Sequence, residues 1–440
     1  MEYKHSIISQ SSIPKRIEIS SKTQDIADKY DVEDDYIHQV HRLLDNFLRD
    51  GDSSSLLKIY DYFSINSNLM YHFVSKFGII SKLCSKLGAT SDFFVDKLIV
   101  SIYLLSLKSF DEFNSFYCQY INDLIPYMNY EELFSLIIEI ILILLQKEPK
   151  NIVFLDKDLY LTELNECCRI RNNESDRILI INSLILVLNA CINEKNDRIV
   201  LNSIPIVHKY IFSRETKIIK KALLSMEIIM RISNGINLSI ICPNVIFEYL
   251  FQLKWGMGLF LQIIFLLNRL FLADERHFID LICVDSKYIT KIVAFLLTKP
   301  SSVPLNAYIF LSNISSNANC AEILLTTGII TVISNPSNFQ FQIKECLLII
   351  FLNLVIINVK ELKSAPSFHD IIIECFNICY GEITGVYALS LLNLIDTSIQ
   401  SLDFLDQSIV LDALSHLLEH SDEKVHEQAQ NILHKIFNNP

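Results

Sequence analysis

The stretches IIFLLNRLF (residues 263–271), YIFLSNISS (308–316) and LIIFLNLVI (348–356) each set one asparagine, Asn268, Asn313 and Asn353, in a mainly apolar segment. Leu, Ile and Phe fill these segments and neither Gly nor Pro interrupts them, a composition that favours helix. Working outward, a single polar residue recurs in the same setting. It is Ser64 in IYDYFSINSN, Ser106 in SIYLLSLKS, Gln146 in IILILLQKE, Asn189 in LILVLNACI and Arg231 in MEIIMRISN. Further on it is Asn393 in LSLLNLID and Asn431 in QAQNILHK.

From Ser64 to Asn431 the successive steps are 42, 40, 43, 42, 37, 45, 40, 40 and 38 residues. The mean, about 41, falls in the range of helical repeats of the HEAT and armadillo type. A unit of that length holds two or three helices and cannot bury its own apolar face. Stacked neighbours make one continuous core and a curved array. The expected fold is all-α: a right-handed superhelical armadillo (ARM/HEAT-like) solenoid of about ten repeats. Residues 1–38 are polar and mixed in charge and are expected to form a flexible arm; residues 39–440 form the array. The final unit, LSHLLEHSDEKVHEQAQNILHKIF, is polar, as a capping repeat should be.

Composition excludes other classes. Hydrophobic residues make up 51% of the 440 positions, too many for a mainly disordered chain. Nine Gly and ten Pro are too few for the turns of a Rossmann fold, propeller or sandwich. No apolar run reaches the roughly 20 clean residues of a membrane span, so no membrane partner is expected. Lys and Arg number 38 against 50 Asp and Glu, a net charge of −12 that disfavours nucleic acid and suits basic partners. The eleven cysteines are scattered through apolar runs and read as buried free thiols. Neither Cys167–Cys168 nor Cys375-x3-Cys379 has the second ligand pair a zinc site needs. His208, His277, His369, His416 and His420 have no catalytic companion at a fixed offset, and no phosphate loop is present. Neither an enzyme activity nor a cofactor is expected.

Four stretches carry a family resemblance. NAYIFLSNISSNANCAEILLTTGII (Asn306–Ile330) resembles the third helix of an importin-α repeat and its glycine turn into the next repeat. SKFGIISKL (Ser75–Leu83) resembles the same turn in the first repeat, and LLEHSDEKVHEQAQNILHKIF (Leu417–Phe437) the last repeat. PKRIEISSKTQD (Pro14–Asp25) looks like a much-reduced importin-β-binding segment. The resemblance implies an adaptor of cytoplasm and nucleus that binds extended basic peptides, of the nuclear localisation type, in a concave groove. It also implies importin-β as the partner of the arm. The peptide-binding residues so implied are Ser106, Gln146, Asn189, Arg231, Asn268, Asn313, Asn353 and Asn393. Where that family places a tryptophan four residues before the ladder, this chain has Ile102, Leu142, Ile185, Glu227, Ile264, Ile309, Ile349 and Leu389. The one tryptophan, Trp255, lies off the ladder.

Physically, an amide on each repeat can donate to a peptide carbonyl and accept from its N–H at once. Rungs about 8–10 Å apart, the spacing of packed helices, would meet an extended chain every second or third residue. Glu194, Asp274 and Glu275 could add attraction for cationic cargo, or be solvated turn residues. Two readings of the ladder stay open: a peptide-holding groove, or hydrogen bonding between helices. An armadillo scaffold with no transport role is the alternative function.

Overall fold

The computed structural model describes residues 30–89, 92–110, 117–298, 303–333, 340–363, 389, 392, 396, 411, 414–419 and 421–438. Among them the chain is helical and holds no strand. It divides into two compact units, Met1–Glu163 and Leu164–Pro440. The first holds α1 (Tyr30–Asp50), α2 (Ser53–Ile65), α3 (Ser67–Phe77), α4 (Ile79–Cys84), α5 (Phe93–Ser109), α6 (Ile121–Leu124) and α7 (Glu131–Lys147). Helix α8 (Lys157–Ile170) carries the boundary. The second holds α9 (Glu174–Ala190), α10 (Asp197–Ile211), α11 (Thr216–Ile232), α12 (Leu238–Ile241), α13 (Asn244–Gln252) and α14 (Met257–Ala273). It continues with α15 (Glu275–Cys283), α16 (Lys287–Thr298), α17 (Leu305–Ser315), α18 (Ala318–Thr326), α19 (Ile329–Ile333), α20 (Phe341–Lys363) and α21 (Glu423–Asn438).

Helix α1 begins at Tyr30, inside the stretch 1–38 expected to be an arm. Its Val40, Leu44 and Phe47 recur at helical spacing and are buried, and the Tyr36 ring meets Tyr62 edge-on, 5.6 Å between centroids. Those contacts give the start of α1 a packing surface that a charge-mixed sequence conceals. Residues 1–29, with Lys15, Arg16 and Lys22, lie outside the described residues, as does Asn393.

Each unit is a row of long helices laid side by side. In the first, α2 packs on α5 and α5 on α7; in the second, α9 packs on α11, α11 on α14, α14 on α17 and α17 on α20. Shorter helices back each row, as α10 backs α11 and α18 backs α20. Burial of Leu, Ile and Phe between rows supplies the stability, about 1.5–3 kcal/mol for each fully buried side chain. Tyr103, Tyr160, Phe134, Phe247 and Phe260 lie in these cores.

Polar joints set the helix ends. Asp52 caps α2 by accepting from the Ser54 and Ser55 amides, Asn196 caps α10, Asp274 caps α15 and Asn317 caps α18. Each satisfies amides that a first turn leaves without partners. Gly78 ends α3 and Gly328 follows α18 at φ +57° and +79°. This left-handed conformation disfavours every residue with a Cβ, which explains the glycine in both quoted turns.

Three lysines bind one repeat to the preceding one. Lys147 Nζ donates to the Leu107 carbonyl at the end of α5 over 2.8 Å. Lys209 Nζ donates to the Cys168 carbonyl near the end of α8. Lys291 Nζ donates to the Phe251 and Leu253 carbonyls at the end of α13, at 2.5 and 2.7 Å. The last carbonyls of a helix lack intrahelical donors and carry the negative end of its dipole, so an ammonium there is doubly favoured.

The described cysteines are thiols, and all but the half-buried Cys283 are buried. Among the described residues no helix is long and apolar enough to cross a membrane.

His208 on α10 is half-buried and donates from Nε2 to the Ile241 carbonyl of α12, 2.8 Å away. Burial holds its pKa below the ordinary 6.5, against the smaller opposing pull of that carbonyl. The unfolded chain therefore takes up a proton that the folded chain resists. This contribution is complete above pH 6.5 and falls as pH drops through the window beneath it. In thermal unfolding at pH 5 and pH 7, His208→Gln is expected to lose less Tm on acidification than wild type. Equal losses in the two proteins would overturn the assignment.

Candidate functional site

Five helices, α5, α7, α9, α11 and α14, are each 17 residues long. They begin at Phe93, Glu131, Glu174, Thr216 and Met257, so their register can be counted from the first residue of each. The fourteenth residue is Ser106, Leu144, Val187, Ile229 and Leu270, and all five are buried. The sixteenth is Lys108, Gln146, Asn189, Arg231 and Leu272, and all five are exposed. The ninth, Ser101, Glu139, Asn182, Leu224 and Phe265, is half-buried throughout.

This register separates the residues aligned by sequence. Ser106 is 0% exposed, and its hydroxyl donates to the Tyr103 carbonyl of its own helix at 2.8 Å. It faces the core and reaches no peptide, which corrects its assignment as a binding residue. Gln146, Asn189 and Arg231 share the sixteenth position, one residue before each helix ends. Asn268 is the twelfth residue of α14, in register with Leu142, Ile185 and Glu227. Its Nδ2 donates to the Ile264 carbonyl at 3.2 Å and across to the Asn306 carbonyl of α17 at 3.1 Å. Asn353 Nδ2 donates from α20 to Ser315 Oγ of α17 at 2.9 Å. Asn313 is half-buried on α17. For Asn268 and Asn353 the amide hydrogens thus tie neighbouring helices, the second of the two readings left open above. Among the described residues of the second unit, Asn189 and Arg231 share one register position and Asn268 holds another.

The positions before the ladder are equally mixed. Ile102 and Ile264 are fully buried, and Leu142, Ile185, Ile309 and Ile349 are half-exposed. Trp255 is buried, donates from Nε1 to the Leu250 carbonyl at 2.9 Å, and stands against Lys291. Asp274 caps α15.

What the register exposes instead is a strip across α9, α11 and α14. Ile185 and Leu186 of α9, Leu224 of α11, and Leu261 and Phe265 of α14 are half-exposed along it, and Leu272 of α14 is 69% exposed. At the C-terminal end of α11, Glu227 sits between two arginines. Its Oε1 lies 2.5 Å from Arg231 Nη2 and 3.6 Å from Arg269 Nε of α14. A depression of about 630 Å³ adjoins this end, lined in part by Met230, Asn237, Ala273 and His277. The triad and the lysine staples escaped reading from sequence, although Lys209 and Lys291 stand two repeat lengths apart.

Fold and strip together define an all-α protein of stacked helical repeats. No family model matches the chain, and no curated protein matches it. Eighty-four solved chains do match. One is the crystal structure of an engineered protein, 11% identical, with a TM-score of 0.31, covering 62% of this chain and 96% of that one. Another is the crystal structure of She4p, 13% identical, with a TM-score of 0.38; the match covers 93% of this chain and 65% of She4p.

Proposed function

We propose that the chain is an armadillo-like protein of about ten repeats in a right-handed superhelix, serving as a protein-interaction scaffold. An extended segment of a partner protein lies on the strip across α9, α11 and α14. The supporting observation is that apolar side chains are left open on each of three successively packed helices, Ile185 and Leu186 on α9, Leu224 on α11, and Phe265 and Leu272 on α14, with Leu224 and Phe265 sharing the ninth position. Apolar surface left open on adjoining helices marks an interaction site, whereas scattered apolar residues do not. Leu272 and Val245 are about equally exposed, at 69% and 61%, but Val245 lies off the strip on α13. A photoreactive residue at position 272 is expected to cross-link a protein partner in cell extract, and one at 245 is not. Equal cross-linking at both, or none at 272, would sink the reading.

The second reading is the importin-α-like adaptor of cytoplasm and nucleus, supported by the repeat length and by the matching left-handed glycines Gly78 and Gly328. A basic localisation peptide that binds wild type and is weakened by Asn353→Ala would favour it over the scaffold. Capture of importin-β that is lost on deleting residues 1–29 would favour it too.

A further inference from the structure

Helix α11 carries Lys217, Lys220, Lys221 and Arg231 against a single carboxylate, Glu227, and α14 adds Arg269 and no acid. In a chain of net charge −12 this pair of helices is a positive island. Glu227 does not neutralise it. Its side chain is 10% exposed and lies between two guanidinium groups that are each 41% exposed. One carboxylate against two cations leaves a net positive charge and several N–H donors turned to solvent. At the other end of α11, the half-buried Lys220 ammonium occupies the space that a Cβ at Gly258 of α14 would need. Among the described residues no carboxylate pairs with Lys220. Lys221 is already engaged, donating to Asn182 Oδ1 of α9 at 2.6 Å. Between the two cationic ends lie Leu224, Leu261 and Phe265.

From this we infer that the α11–α14 face docks a protein segment carrying acidic side chains at two points with large apolar side chains between them. The inference rests on the scaffold reading above and supplies its ligand chemistry. Lys220 and Arg231 are separated by eleven residues of helix, about 16 Å at 1.5 Å per residue. An extended segment covers that length in about five residues. Its first acid meets Lys220, its apolar residues meet Leu224 and Phe265, and its second acid bridges Arg231 and Arg269 bidentately. A basic segment would set cation against cation at both ends. A nucleic-acid strand would match the cations but leave the apolar middle without a partner, within an acidic chain.

A phage-displayed library of random peptides about ten residues long, selected on the full-length chain, tests this directly. Enriched peptides are expected to be net acidic with Phe, Leu or Ile between the acids, and to bind more weakly as salt rises. The triple variant Glu227→Gln/Arg231→Gln/Arg269→Gln removes the charges without orphaning a buried carboxylate. It should weaken such a peptide on the order of tenfold or more. Lys220→Gln, which breaks no ion pair among the described residues, should weaken it several-fold, and an unchanged Tm would show that both variants fold. Enrichment of basic peptides, or variants that bind as wild type, would overturn the inference. Tighter binding of single-stranded DNA to the same face would do so as well. Weakening by Phe265→Ser with no effect of the charge variants would sink the acidic preference alone and leave the scaffold reading intact.

Discussion

Ser106→Asn, which installs the residue a peptide-holding rung would carry, is expected to cost about 2–6 kcal/mol of stability and to add no peptide affinity. Ser106 is closed from solvent, and its counterparts at the fourteenth position are Leu144, Val187, Ile229 and Leu270. A serine survives there because its one hydroxyl is satisfied locally by the Tyr103 carbonyl. An amide brings a carbonyl and an NH2 in place of the hydroxyl, and a larger volume, into the same pocket. Overpacking costs about 1–3 kcal/mol. An unsatisfied buried amide adds about 1–3 kcal/mol. Urea denaturation followed by circular dichroism measures the sum. The contrast lies at the sixteenth position, where Gln146→Ala and Asn189→Ala should stay within about 0.5 kcal/mol of wild type because both side chains are exposed. Wild-type stability for Ser106→Asn would place position 106 at the surface and revive the continuous ladder.

That contrast shows how far the sequence could be read. The repeat length was legible because each unit contributes a long apolar helix, and counting from one polar interruption to the next tolerates an error of a few residues. The facing of those interruptions was not. Successive helical residues rotate by about 100°, so the two-residue offset between Ser106 and Gln146 turns one to the core and the other to solvent. A lone polar letter does not reveal whether its partner is its own backbone, as for Ser106, or a neighbouring helix, as for Asn268 with the Asn306 carbonyl. Gly78 and Gly328 were legible because a left-handed turn admits almost only one residue type. The start of α1 was hidden because its stabilising contacts, such as Tyr36 with Tyr62, come from the next helix. The basic island on α11 and α14 was masked by the acidic total, since net charge averages over faces that a partner meets separately.

The lysine staples were the least legible feature, because each acts on a carbonyl about one repeat away, and Lys291 offers the sharpest test of their energetic role. Lys291→Met keeps the apolar stem and removes the ammonium, so it isolates the polar contacts. Those contacts are two hydrogen bonds, to the Phe251 and Leu253 carbonyls, and a position 4.4 Å from the Trp255 ring centroid. Charged hydrogen bonds contribute about 1.5–3 kcal/mol each before desolvation. The cation–π contact adds about 0.5–2 kcal/mol. Burial opposes them and holds the Lys291 pKa below the ordinary lysine value. The net loss expected for Lys291→Met is about 2–3 kcal/mol, and it comes from leaving the Phe251 and Leu253 carbonyls without a donor rather than from losing the charge, which burial disfavours. The sign with pH follows from the same depression. Between the folded pKa and 10.5 the unfolded chain binds more protons, so in this alkaline window wild-type stability gains from rising pH, and Lys291→Met lacks that gain. Because Trp255 is the only tryptophan, the protein's indole emission reports this one site. Lys291→Met should shift the emission maximum of the folded protein and lower Tm together. A shifted spectrum at unchanged Tm would mean that the ammonium touches the indole without holding the α13 end to α16, and would remove the staples from the forces that join one repeat to the next.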